Sequence, residues 1–249
     1  MIDVHCHLLH SLDDGPNTLE ESLAMVRIAA ESGTTDLVAT PHASPEFPYQ
    51  AELIAERISE LAAACGSSLR IYPGCDFHLT YENIQDALSN PSKYSINHLS
   101  YLLVEFSDLL VHHNAGTIFD RLRSVGLLPV ITHPERNRLL KERLNDLEAW
   151  VKDGCFLQIT AQSLLGDFGL PAQDFSEVLL KRGLVHFVAS DGHNCDARPP
   201  RLDEAYGYLA AAFGRPTAEL LCVANPRAAL AGEPLAHLRT PRKWYRFWT

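Results

Sequence analysis

The chain has 249 residues, 46% hydrophobic and 21% charged, an ordinary globular composition that excludes a disordered or low-complexity protein. Its formal net charge of −10 argues against a broad nucleic-acid footprint, which needs clustered positive charge. No apolar run reaches the ~18 residues of a membrane-spanning helix, and Met1 leads straight into Ile2-Asp3-Val4-His5 with no basic or apolar leader, so the expected location is the cytoplasm.

Short apolar runs alternate with amphipathic stretches along the chain. Strands are predicted at Met1–Cys6, Asp36–Thr40, Arg70–Cys75, Tyr101–Phe106, Leu128–Thr132, Phe156–Thr160 and Val185–Ser190. A first helix opens on the capping box Thr18-Leu19-Glu20-Glu21 and runs to Gly33, which suits the left-handed position past its end. Further helices are predicted at Ala51–Cys65, Ala115–Val125, Leu144–Lys152, Gln173–Arg182 and Leu202–Phe213. Such alternation implies an α/β fold with a parallel sheet. Seven units without a dinucleotide-type glycine loop point to a closed or nearly closed barrel, a single domain over residues 1–249.

In a barrel of this kind the chemistry sits where strands end. His5 and His7 end the first strand, with Asp14 in the following loop. His42 follows the second strand, Asp76 the third, and Glu105 ends the fourth. His133 follows the fifth, and Asp191 and His193 follow the seventh. Each is unremarkable alone: a histidine after a strand is usually a satisfied loop residue, and Asp14 before Gly15 suits a turn. Together they bring imidazoles and carboxylates to one rim, where without cations they would repel and lose solvation. Nine ligands are enough for two or three divalent ions at four to six ligands each, with shared carboxylates. Three such ions against four carboxylates leave a charge of about plus two, which attracts a dianion such as a phosphate monoester. The mixed nitrogen and oxygen donors suit Mn, Fe or Zn better than Ca.

The segments MIDVHCHLL, SLDDGP, ATPH, PGCDFHL, LLVEF, THPER and ASDGHN, in that order, resemble the polymerase-and-histidinol-phosphatase (PHP) superfamily. Within it, the chain resembles the bacterial manganese-dependent protein tyrosine phosphatases of capsule and exopolysaccharide operons, over residues 1 to about 230. The resemblance implies a distorted seven-stranded (β/α)7 TIM-like barrel with a three-metal centre. It implies that His5, His7, Asp76 and Asp191 hold the first metal, that Asp76, Glu105 and His133 hold the second, and that Asp14, His42 and His193 hold the third. Arg136 and Arg198 match positions that contact phosphate. The family usually has Glu where Asp76 stands, one methylene longer, so the bridge needs a backbone shift or a changed metal spacing. His78 is the nearest ring that would compensate. The implied reaction is hydrolysis of phosphotyrosine on a protein, a tyrosine kinase of polysaccharide biosynthesis, by a metal-held hydroxide, with Mn²⁺ as the expected ion.

Two other functions stay open at this stage: a phosphatase acting on a small phosphomonoester such as histidinol phosphate, and a non-catalytic regulatory protein that keeps the barrel. A cysteine-dependent phosphatase is suggested only by Cys195 and Arg201, spaced Cys-x5-Arg. Pro199 and Pro200 would remove two amides from the phosphate cradle such an enzyme needs. The six cysteines form no CxxC pair and read as buried thiols of a reducing compartment rather than a disulfide framework. His10, His98, His112, His113, His186 and His237 have no place in the ligand pattern, although His112-His113-Asn114 would line the rim near Glu105. Residues 233–249 form a basic aromatic tail, with Arg239, Arg242, Lys243 and Arg246 among Trp244, Tyr245, Phe247 and Trp248. It reads as a docked C-terminus or as a contact for an acidic partner or membrane surface.

Overall fold

The structure, a computed structural model, describes residues 1–66 and 69–238; the basic aromatic residues from Arg239 onward lie outside the described part. Strand β1 (Ile2–Cys6) is buried along its whole length. Helix α1 (Leu19–Glu31) starts from the expected capping box: Thr18 accepts from the Glu21 amide and Glu21 from the Thr18 amide. Gly33 takes a positive φ of 84° just past its end.

Each of the next two expected strands ends at a break, and a second short strand follows beyond its predicted end. The first is β2 (Asp36–Ala39), then β3 (His42–Ala43); after α2 (Ala51–Cys65), the second is β4 (Arg70–Pro73), then β5 (Asp76–His78). Pro41 has no N–H to offer a ladder. Beside it the chain passes so closely at Gly74 that a Cβ there would come within 2.6 Å of Val38 Cγ1. The two breaks are adjacent, and the Asp76 amide donates to the Pro41 carbonyl at 3.1 Å. Pairing then resumes with His42 opposite Asp76, so both residues stand on strands rather than after them.

Helix α3 (Tyr81–Ser89), capped by the Thr80 hydroxyl, was not expected; only Ile84 and Ala87 of its residues are buried, a weak periodic signal. The chain continues through β6 (Tyr101–Glu105), α4 (Ala115–Ser124), β7 (Leu128–Thr132), α5 (Arg138–Lys141), α6 (Leu144–Lys152), β8 (Phe156–Thr160), α7 (Ala161–Leu165), α8 (Leu170–Lys181), β9 (Phe187–Ala189) and α9 (Asp203–Ala212). Helix α8 begins three residues earlier than predicted, because Gly169 supplies the positive φ of its cap and Pro171 fits its first turn. After Gly214, a helical run not predicted from the sequence passes from α10 (Arg215–Glu219) through a π-helical stretch (Leu220–Ala224) into α11 (Asn225–Ala231).

Among the described residues nine strands form two parallel sheets, in the orders β1-β2-β4 and β3-β5-β6-β7-β8-β9. The residues after β9 return to β1. Cys6 bridges Gly192 in parallel, the Asp191 amide donates to the His5 carbonyl at 2.9 Å, and the His7 amide donates to the Gly192 carbonyl at 2.8 Å. Ile2, Val4, Val38, Leu103, Val130 and Phe187 form one apolar cluster drawn from five strands. Cys6, Leu37 and Ala39 pack instead with α1 and α2. Toward the carboxyl ends of the strands the buried residues become polar: His5, Asp76, Thr132, Gln158 and Thr160 are all inaccessible.

An irregularity in β1 makes that change possible. Between Asp3 and Cys6, β1 has one residue more than its partner β2. Strict alternation would send Val4 and His5 to opposite faces. The bulge lets Val4 join the apolar cluster while His5 reaches the polar rim. His7 lies just beyond the strand, but the chain keeps pairing with residues 191–192 through His5, Cys6 and His7, so the two-residue period puts the His7 ring on the same side as His5. No helix among the described residues is long and apolar enough to cross a membrane.

Candidate metal centre

All nine expected ligands come together at the carboxyl ends of the strands. His7, Asp14, His42 and His193 offer donor atoms that all lie within 4.8 Å of one another; so do His5, His7 and Asp76, and so do Asp76, Glu105 and His133. Asp191 stands beside the second of these groups, with Oδ1 3.3 Å from His5 Nε2 and 3.5 Å from His7 Nε2. His7 therefore faces two groups. One imidazole absent from the nine also joins, because His42, His78 and Glu105 form a fourth group within the same limit.

The rings are held with one nitrogen free for the centre. His5 Nδ1–H donates to Gln158 Oε1 at 3.0 Å, His7 Nδ1–H to Asp13 Oδ2 at 2.7 Å, and His193 Nδ1–H to the Asp191 carbonyl at 2.9 Å. In each case Nε2 is the atom left facing the centre, the arrangement in which ligating histidines are usually held. His133 and Asp191 both have positive φ, 31° and 51°, which non-glycine residues adopt mainly where the surrounding structure enforces it.

The donors fit divalent cations. Asp76 is fully buried, yet its Oδ2 has no hydrogen-bond donor. That oxygen lies 3.5 Å from His5 Nε2, 3.5 Å from His42 Nδ1 and 3.9 Å from His133 Nε2. A buried carboxylate oxygen with no donor, ringed by imidazole nitrogens, offers a mixed oxygen and nitrogen set that suits a transition-series divalent ion. Titration behaviour agrees. Burial works against the imidazolium of His5, but the Asp76 and Asp191 carboxylates outweigh it and raise its pKa to about 9. His42 is likewise disfavoured by burial and then raised to about 10 by Asp14, Asp76 and Glu105. Burial and the nearby His193 lower His7 to about 3. Asp14, Asp76 and Asp191 are pulled below the usual carboxylate range by the imidazoles around them, although burial opposes this. Bound cations would take the place of the protons these rings attract.

The two arginines stand at the edge of the cluster. Both bond Asp191 Oδ2, Arg136 through Nη1 and Arg198 through Nη2, the latter at 2.6 Å. The Arg136 guanidinium lies 4.3 Å above the Phe168 ring, and the buried Nε of Arg198 has no acceptor.

A family model for capsular polysaccharide synthesis proteins, CpsB/CapC, matches residues 1–231. The chain belongs to the CpsB/CapC family. It is 35% identical over 218 residues to the tyrosine-protein phosphatase YwqE of Bacillus subtilis, covering 86% of this chain and 85% of the relative. It is 31% identical over 236 residues to the tyrosine-protein phosphatase CpsB of Streptococcus pneumoniae, covering 91% and 97%. A crystal structure from work on YwqE and CpsB, described as unique metal-dependent tyrosine phosphatases, aligns with a TM-score of 0.89 and 33% identity over 97% of this chain and 98% of that one.

In this CpsB/CapC protein the short Asp76 still reaches the middle of the ligand set, because β5 carries it in register with His42. Several supporting residues escaped the sequence reading. Asp13 reads as turn chemistry beside Asp14, but it orients His7 and also accepts the His42 amide at 3.1 Å. Gln158 is an unremarkable polar residue in an apolar strand until β8 faces β1. Glu135 is buried and accepts the Thr160 amide at 2.8 Å. Phe168 has no sequence signal; only the fold brings its ring under the arginines.

The cysteine alternative fails on geometry. Cys195 packs against the apolar cluster beneath α1, and burial raises its pKa. Arg201 bonds Asp203 rather than turning toward the thiol. Four cysteines are buried as expected, but Cys65 and Cys195 are only half-buried. His10 bonds Glu60, His98 bonds the Ser92 carbonyl, and His186 pairs with His237, all away from the ligand set. His112 does line the rim, sharing a cleft with His78 and Phe106.

Proposed function

We propose that this protein is a metal-dependent protein tyrosine phosphatase that hydrolyses phosphotyrosine on a protein partner, a bacterial tyrosine kinase of capsule or exopolysaccharide synthesis. The observation that carries the reading is the joining of a polynuclear ligand set to two arginines at one shared residue, Asp191. Relatives named as tyrosine-protein phosphatases over most of their length support the substrate class.

His5, His7, Asp14, His42, Asp76, Glu105, His133, Asp191 and His193 are the proposed ligands, and Mn²⁺ is the proposed ion, two or three per chain. When bound, the ions supply Lewis acidity toward water and the phosphoryl group. The protein's part is positioning. Asp76 belongs to two ligand groups and would serve both when they are loaded. Arg136 and Arg198 exchange their contact with Asp191 for the equatorial phosphoryl oxygens, where a guanidinium offers paired donors and a permanent charge. Phe168 holds the Arg136 guanidinium over its ring, 4.3 Å from the centroid, as a cation–π partner. The phenol leaving group has a pKa of ~10, so its departure needs less protonation than that of an alkyl ester.

The scaffold for this chemistry is proposed to be one domain, with the two sheets forming a single distorted seven-fold barrel. In that reading β2 with β3, and β4 with β5, act as single staves, and the Cys6–Gly192 bridge supports closure. A reducing cytoplasmic setting fits Cys6, Cys75, Cys155 and Cys222, each buried in the core.

The test is hydrolysis of a phosphotyrosine peptide beside phosphoserine peptide and histidinol phosphate. Activity on phosphotyrosine should require Mn²⁺, disappear with a chelator and survive thiol alkylation. His42→Ala and Asp191→Ala should each lose at least about a hundredfold, as removal of a ligand does. Preference for the small ester would redirect the substrate; alkylation-sensitive, chelator-resistant activity would overturn the mechanism.

A further inference from the structure

His78 is the last residue of β5, two positions after Asp76, so the strand period sends both side chains to the same face. The parallel ladder places it opposite Glu105 of β6. Its carbonyl accepts the Thr80 amide at 2.8 Å and the Asn83 side-chain amide at 3.1 Å, which ties the end of the strand to the start of α3. The ring is thus aimed by regular structure and fixed at its base.

His78 Nε2 touches Glu105 Oε2 and lies 3.4 Å from His42 Nδ1; His42 Nδ1 is also 3.4 Å from Glu105 Oε2. Donors sharing an ion through ~2.1 Å bonds stand about 3.0–3.4 Å apart, for octahedral or tetrahedral geometry. The two separations from His42 lie at the upper end of that range, whereas the direct His78–Glu105 contact is shorter and would have to open for both to share an ion. Each of the other two atoms in the trio has a counterpart elsewhere in the centre. His42 turns Nε2 toward Asp14 at 3.4 Å, and Glu105 turns Oε1 toward His133 at 3.6 Å. His78 is the member with no duty among the nine ligands. On its other side the ring lines an open cleft of about 230 Å³ with Pro45, Leu79, Phe106 and Leu110, where it is a quarter exposed.

We propose that His78 is a tenth metal ligand, which would hold a divalent cation at the outer edge of the centre together with Glu105 Oε2 and His42 Nδ1, His42 releasing its ring proton on metal uptake so that Nδ1 and Nε2 can each offer a lone pair to a different ion. The assignment rests on the metal-dependent reading above. It makes Glu105 a carboxylate shared between an inner position, with Asp76 and His133, and an outer one.

The experiment is titration of metal-free protein with Mn²⁺, following ion number and affinity by calorimetry and by the paramagnetic resonance signal of free Mn²⁺. His78→Gln keeps an N–H donor for Glu105 but is a poor ligand. It should lose one ion, or weaken one by at least tenfold, while the others remain and the circular dichroism is unchanged. His78→Glu, which offers a carboxylate oxygen, should recover at least part of that binding. Wild-type-like titration of His78→Gln would show that the ring serves only as a hydrogen-bond donor and would overturn the assignment. Equal weakening of every ion in His78→Gln would also overturn it. If the wild-type protein takes up no ion, the metal-dependent function itself fails, a result distinct from either.

Discussion

Single side chains decide how the rings are presented. Asp13 accepts from His7 Nδ1–H and from the His42 amide, and so orients two proposed ligands without ligating. Asp13→Ala should lower metal affinity and phosphatase activity by about 10–100-fold, the usual effect of removing such a partner. Calorimetric Mn²⁺ titration beside a rate measurement checks this; unchanged affinity would show that His7 holds its tautomer unaided. Phe168 acts on the arginines instead. Loss of a partly exposed cation–π contact amounts to ~0.5–1 kcal/mol. Phe168→Ala should therefore raise KM for a phosphotyrosine peptide by about two- to fivefold with Mn²⁺ binding unchanged. A shift in metal affinity would place Phe168 in a different role.

Helices and strands carry separable parts of the stability. The capping box of α1 lies outside the ligand set, so Thr18→Ala should lower unfolding stability by about 1 kcal/mol and leave activity intact. At the other end of the chain, His186 precedes β9 as a buried neutral ring. It accepts the Leu157 amide through Nδ1 at 3.2 Å and meets His237 through Nε2 at 3.0 Å. Burial and the neighbouring His237 lower its pKa to about 3. The unfolded chain takes up this proton near pH 6.5 and the folded chain does not, so the stability is present above that pH and is lost as pH falls toward 3. Between pH 6.5 and 5 the wild type should lose up to about 2 kcal/mol more than His186→Asn in urea unfolding. Parallel pH profiles would remove His186 as the cause.

For the molecule as a whole, the centre joins strands that are distant in sequence, so metal and fold are thermodynamically linked. Ions at about a hundred times Kd stabilise the folded state by ~2.7 kcal/mol per site. In a chain of this size that corresponds to a rise of roughly 5–10 °C in Tm. Calorimetric melting with and without a chelator measures it. An unchanged Tm, in protein shown by elemental analysis to have been loaded, would mean that the ligands are held by the scaffold alone.

The α/β alternation, the α1 capping box and all nine proposed ligands were legible in the sequence, because caps, periodicity and donor types are local properties. The broken strands were not: Pro41 and Gly74 act together only because β2 and β4 lie side by side. Asp13, Gln158 and Phe168 carry no local signal either, since each acts on a residue that the fold alone brings to it. His78 was visible as a histidine near Asp76, but its place against Glu105 and His42 depends on the ladder register of three strands. Sequence thus determined which chemical groups reach the rim. Tertiary structure decided which nitrogen and oxygen atoms face one another there, because those distances are set by contacts between segments far apart in the chain.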